Sequence, residues 1–188
     1  MKCDFYPMAI HPNTASMLKE SASEMLHVAE YCINYRKDAQ WEANQVGGCL
    51  GYPAAVMLFS LVDMIGSFHE GDQTLQISIN GQMKTIASDG YQHFFILNSH
   101  YYELALTEDQ IKIVYKNFRS KLVHNLAMPP EHTLSIGENE TKSFEFQANN
   151  TRVNLKPFFD ISKTAVSAFI QNVDTIVPSS RQGINLNS

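Results

Sequence analysis

A chain of 188 residues with 44% apolar content can bury one hydrophobic core, and a formal charge of −5 argues against a protein that coats nucleic acid over its whole surface. Cys3, Cys32 and Cys49 are odd in number, widely spaced and without a C-x-x-C pair, which argues against a disulfide framework or a zinc site and reads as free thiols in a reducing compartment. The opening "MKCDFYPMAI" has no basic segment leading into a sustained apolar run, so no secretory signal is expected and the sequons at Asn139 and Asn149 are expected to carry no glycan.

In chain order, apolar residues at helical spacing (Met17, Met25, Val28, Cys32, Tyr35) predict a long first helix from about Asn13 to Trp41, with Asn13 or Thr14 as its cap. "QVGGCLGYP" is a break. The apolar run from Cys49 to Phe68 then predicts a second helix from about Pro53, and Asp63 inside it favours a buried helix of a soluble bundle over a membrane span. Its small residues, Ala54, Ala55, Ser60, Gly66 and Ser67, permit close approach of a neighbour. Around Asn80-Gly81 the alternation suits a short hairpin or an excursion between helices. "YQHFFILNSHYYELAL" predicts a third helix from near Asp89, whose Phe94, Phe95, Tyr101 and Tyr102 sit at core spacing.

Thr107 followed by Gln110 is a capping box that opens a fourth helix at about Glu108, with Ile111, Val114, Tyr115, Phe118 and Leu122 as its core face. "MPP" ends it. Residues 131–156 alternate at period two and predict two or three short antiparallel strands. A fifth helix is expected from about Phe158, with Asp160 or Ser162 as its cap, and residues 179–188 are expected to be loose. The fold class is therefore mainly α, a single domain over residues 1–178 of about five helices with a small antiparallel β insertion before the last.

Near the end of the fourth helix, "YKNFRSKLVHN" sets Arg119 five positions before His124. On a regular helix that spacing turns through about 500°, so the two side chains flank one polar face about 140° apart, with Lys116 and Ser120 between them and Ser120 stacked on His124. No acid occurs from Gln110 to Pro130, whereas Lys112, Lys116, Arg119 and Lys121 are all basic. That face suits a phosphate backbone. The same layout, acids at the start and bases at the end, also suits the helix dipole with no further role. Asp63 needs a partner: the functional reading supplies Arg119 or His124, the bland one a loop backbone or a cap. The other histidines show no metal-ligand spacing and read as surface or satisfied core residues; no metal and no cofactor are expected.

The helix "IVYKNFRSKLVHNLAMPP" resembles the signature helix of the HEPN superfamily (higher eukaryotes and prokaryotes nucleotide-binding), and "AAVMLFSLVDMIGSF" is similar to the preceding core helix of one prokaryotic group. Where that family often has Asn, Asp or His after the motif arginine, this chain has Ser120. The resemblance implies a HEPN-like helical bundle and metal-independent RNA cleavage at a site formed where two copies of this helix meet in a homodimer. His124 would then transfer protons and Arg119 bind the phosphate, with Ser120, Asn125 and Asp63 in support and Lys112, Lys116 and Lys121 along the RNA. By the same analogy it implies a cytoplasmic toxin or defence protein with a cognate antitoxin. Two other readings stand beside it: a catalytically silent module that binds a nucleotide, RNA or protein, and a structural homo-oligomer.

Overall fold

The segment after Leu50 becomes the axis of the molecule. In the computed structural model, which describes residues 10–38, 40–42, 46–87 and 90–186, helix α2 (Gly51–Phe68) is packed upon by α1 (Thr14–Asn34), α5 (Leu155–Ser179) and a 3-10 helix (Gly90–Asn98). Cys3 and Asp89 lie outside the described residues. The chain is about 57% helical with small sheets, so it is mainly α. Among the described residues α2 is the one helix long and apolar enough to cross a membrane, and half of it is buried inside the fold. Phe59 at its centre meets four rings from other elements, Phe94, Phe118, Phe144 and Phe158, at centroid distances of 6.2, 6.1, 6.4 and 5.0 Å. Ring pairs at these separations add to plain burial, which concentrates the core on this one residue.

Helix α1 starts as expected, with the Asn13 side chain accepting from Ser16 N–H at 2.8 Å. It ends at Asn34, well short of Trp41. The Arg36 guanidinium takes the Ile33 carbonyl at 2.7 Å, and Lys37 pairs through its backbone with Gly48 and Gly47 instead of continuing the helix. The buried stripe also differs from the expected one. Ala15, Leu18, Ala22, Ala29, Cys32 and Ile33 face the core, while Met17 and Val28 are exposed. Alanines let α1 lie close to α2, and Met17, Val28 and Tyr31 face outward.

The hairpin β1 (Ser78–Ile79) to β2 (Gln82–Met83) forms at Asn80-Gly81, both at positive φ. The third helix is shorter and tighter than expected. It stops at Asn98, whose side chain accepts the Leu106 N–H at 2.7 Å and donates to the Leu106 and Ser78 carbonyls, folding residues 99–105 into a loop. Phe94, Phe95, Tyr101 and Tyr102 are all buried, in keeping with the core reading.

Residues 108–125 form one helical run of three parts: α3 (Glu108–Ile113), a π-helical segment (Val114–Ser120) and α4 (Lys121–Asn125). Thr107 and Gln110 complete the capping box. Within the π segment the backbone bonds reach five residues back, as from Lys121 N–H to the Lys116 carbonyl. Wider turns keep Val114, Phe118 and Leu122, each four apart, on one buried face.

The β insertion is mixed, not wholly antiparallel as expected. Its order is β3 (Thr133–Ser135), β5 (Asn150–Asn154), β4 (Phe144–Gln147), with β3 parallel and β4 antiparallel to β5. The tight β4–β5 turn lays β5 between its neighbours, so β5 runs the same way as β3. Helix α5 follows directly at Leu155, earlier than Phe158. Asp160 is exposed and Ser162 buried within the helix, so neither caps it. The expected loose tail instead contains α6 (Arg181–Leu186), started by Ser180 Oγ accepting from Gly183 N–H at 2.9 Å and tied by Arg181 to Glu70 at 3.3 Å.

Candidate functional site

Asp63 sits just over one turn before the C-terminal end of α2, mostly buried at the wall of a cleft. It is bracketed by two partners. Arg119 Nη2 of the π segment lies 2.6 Å from Oδ2, and His93 Nδ1 of the 3-10 helix lies 2.9 Å from Oδ1. The three side chains are only 18, 23 and 17% exposed, in that order, so each contact is shielded from competing water. Of the partners anticipated for Asp63, Arg119 is the one observed. His93, thirty residues away in sequence, is one that spacing did not reveal.

Local packing explains why these groups meet. A Cβ on Gly66 would lie 2.1 Å from the His93 carbonyl oxygen, so the 3-10 helix rests directly on the α2 backbone one turn beyond Asp63. Gly90 likewise leaves room for the Tyr115 hydroxyl, which a Cβ would approach to 2.5 Å. Tyr115 packs edge-on against Phe94 at 5.4 Å, and the Arg119 guanidinium lies 5.9 Å from the Tyr115 ring centroid. Arg119 is thus steered by an aromatic face from below and a carboxylate at its tip.

The triad opens on a cleft of about 420 Å³, lined among others by Ser60, Ser67, His93, Arg119 and Gln182. Two of its polar atoms, Arg119 Nε and His93 Nε2, are buried and have no hydrogen-bond partner. With His93 Nδ1–H donating to the carboxylate, Nε2 of the neutral imidazole is a free acceptor, while Arg119 Nε–H is a free donor. An acceptor and a cationic donor, both buried and without a partner, therefore belong to side chains that line this cleft.

The remaining sequence-predicted residues lie elsewhere. His124 and Asn125 are exposed in the last turn of α4, which Leu126 terminates in the left-handed conformation at φ 51°. His124 makes no hydrogen bond or ion pair among the described residues, and Ser120, half-buried, does not bond to it. Lys112 is paired with Glu108 at 2.8 Å, while Lys116 and Lys121 have no ion pair among the described residues. Arg119 lines a cleft whose lining does not include His124.

Two other buried histidines are satisfied core groups, as the sequence suggested. His132 Nδ1 accepts the Thr151 N–H at 3.1 Å and its Nε2 meets the Asn117 amide at 2.8 Å, tying the sheet to the π segment. His69 bridges Asp72 and the Tyr101 hydroxyl, each at 3.0 Å. Burial lowers the His69 pKa and pushes Tyr101 up to about 12. Because the folded state disfavours the His69 proton, the unfolded chain binds it more readily below the ordinary value of 6.5, and folding stability from this group falls as pH drops under that value. The melting temperature is expected to decline between about pH 7 and about pH 5, with a shallower slope in His69→Gln; equal slopes would show that another group governs the loss. Cys32 and Cys49 are free thiols whose pKa values burial raises, which keeps them protonated and weakly reactive. Among the described residues no group of three His, Cys, Asp or Glu side chains converges to hold a metal.

No family model, curated protein or solved structure matches this chain.

Proposed function

We propose that the protein is a HEPN-like, metal-independent endoribonuclease of the cytoplasm whose phosphate-binding residue is Arg119, acting as a homodimer. The observation that carries this reading is the Asp63–Arg119 bridge, which fixes a half-buried guanidinium at a cleft with Nε–H still unpaired. A guanidinium held this way can donate to the non-bridging oxygens as charge grows on them during phosphoryl transfer. Lys116 and Lys121 extend positive charge along the same helical run toward a bound strand.

A second copy supplies what one protomer lacks. His124 stands apart from Arg119, and it is flanked by exposed apolar residues, Val123 at 38% and Leu126 at 82%. Those side chains suit burial against a twofold-related α4, which would carry the partner's His124 toward the neighbouring Arg119. A toxin or defence role with a cognate antitoxin follows from the family analogy alone. The rival reading, a silent module that binds a nucleotide, RNA or protein, draws on the same geometry: Asp63 neutralises the charge of Arg119, and Ser120 departs from the family pattern.

Incubating the protein with labelled RNA tests the proposal. Cleavage is expected with chelator present, and a strand carrying 2′-deoxyribose at the cut position should resist because its nucleophile is missing. His124→Ala is expected to lower the rate about a hundredfold or more while the fold persists, since an exposed imidazole contributes little to stability. Light scattering at micromolar concentration should give a dimer. A monomer that binds RNA without cutting it would replace this reading with the silent module.

A further inference from the structure

Resting on the ribonuclease reading, we infer that His93, oriented by Asp63, is the general base that takes the proton of the RNA 2′-hydroxyl. His124 is thereby left as the acid for the departing 5′-oxygen. The geometry that points to this is the orphaned pair at the cleft wall. Asp63 accepts from His93 Nδ1 at 2.9 Å, which fixes the tautomer with its lone pair on Nε2, and Nε2 is buried without a partner. Arg119, held by the same carboxylate, has a buried Nε–H without an acceptor. An unpaired acceptor and an unpaired donor, on side chains held by one carboxylate, suit a ligand that offers both a hydroxyl and an anionic oxygen. A ribonucleotide offers both, in its 2′-hydroxyl and 3′-phosphate; a deoxyribonucleotide offers only the second.

The step balances. The 2′-oxygen forms a bond to phosphorus as its proton moves to His93 Nε2, the P–O5′ bond breaks, and the 5′-oxygen receives a proton from His124 of the second copy. The products are a 2′,3′-cyclic phosphate and a 5′-hydroxyl end. Asp63 stabilises the imidazolium formed on His93, the orientation and charge role that a carboxylate behind a catalytic histidine plays. Strand entry lies past α6, a short helix whose Gln182 and Leu186 line the same cleft.

The test separates base from acid with two substrates, each a single ribonucleotide within a deoxy strand: one with the natural 5′-oxygen leaving group, the other with 5′-sulfur, which leaves without protonation. His93→Asn places an amide nitrogen where Nδ1 stood, preserving the bond to Asp63 while removing the base. It is expected to cut both substrates about a hundredfold to ten-thousandfold more slowly than the unmodified protein and to lose the acidic limb of the pH–rate profile. His124→Ala should be slow on the oxygen substrate and recover on the sulfur one. His93→Ala, with circular dichroism as a check on folding, should regain activity when imidazole is added. Wild-type rates in His93→Asn, or its rescue by the sulfur leaving group, would overturn the assignment while leaving the ribonuclease reading intact. An unmodified protein that cuts neither substrate would overturn both.

Discussion

Gly66→Ala is expected to destabilise the fold by about 3 kcal/mol, toward the upper end of what a single methyl inserted into a packed interior causes. The added Cβ would stand 2.1 Å from the His93 carbonyl oxygen, 2.7 Å from its carbonyl carbon and 2.8 Å from its Cα. All three are backbone atoms, so no rotamer change relieves the clash. The 3-10 helix must lift from α2, and it carries Phe94, fully buried and stacked on Phe59, with it. For a chain of this size the melting temperature should fall by about 10 °C, and the urea midpoint should drop with little change in slope. His93 would also leave Asp63, so on the proposed ribonuclease reading RNA cleavage should fall further than the folded fraction alone explains. A variant within about 0.5 kcal/mol of the parent would show that the 3-10 helix does not rest on Gly66.

The contrast between Gly66 and Asp63 explains which parts of this molecule could be read from its sequence. The capping box at Thr107 and Gln110 and the hairpin at Asn80-Gly81 are local devices, closed within three or four residues, and both formed where expected. Asp63 announced itself because a carboxylate in an apolar helix must find a partner, and Arg119 was among the few cations available. The bond to His93 had no such sign. It depends on a backbone contact at Gly66 that only tertiary packing creates, and a glycine in an apolar helix reads simply as a small residue.

Periodicity failed where the helix was not a regular α-helix. The π segment places Arg119 on turns wider than the wheel assumed, which is why a 140° separation on paper does not describe how Arg119 and His124 lie. On α1 Cys32 and Met25 of the expected stripe meet the core but Met17 and Val28 do not, because close packing is achieved by Ala22 and Ala29, residues whose weight in a hydrophobic pattern is small. The tail escaped notice because α6 has six residues and needs Ser180 and Glu70 to hold it. Polar composition alone describes such a segment as loose.

Arg119→Lys is expected to lose most RNA cleavage on the proposed reading although it retains the positive charge. The lysine ammonium can reach for Asp63 Oδ2 in place of Nη2, so the bridge across α2 persists and stability should change by less than about 1 kcal/mol. What disappears is Nε–H, a donor without a partner in the structure. If that donor meets charge developing on the phosphate, its loss should slow RNA cleavage about a hundredfold to a thousandfold while RNA binding weakens far less. Asp63→Asn provides the opposite pattern. It leaves Arg119 charged and half-buried without its counter-ion, which should destabilise the fold by about 2 kcal/mol, and its single amide oxygen can accept from only one of Arg119 and His93. Single-turnover cleavage beside urea titration of the two variants distinguishes the roles: a stable, inactive Arg119→Lys assigns the guanidinium to the phosphate, whereas wild-type cleavage in that variant would reduce Arg119 to the structural counter-ion of Asp63.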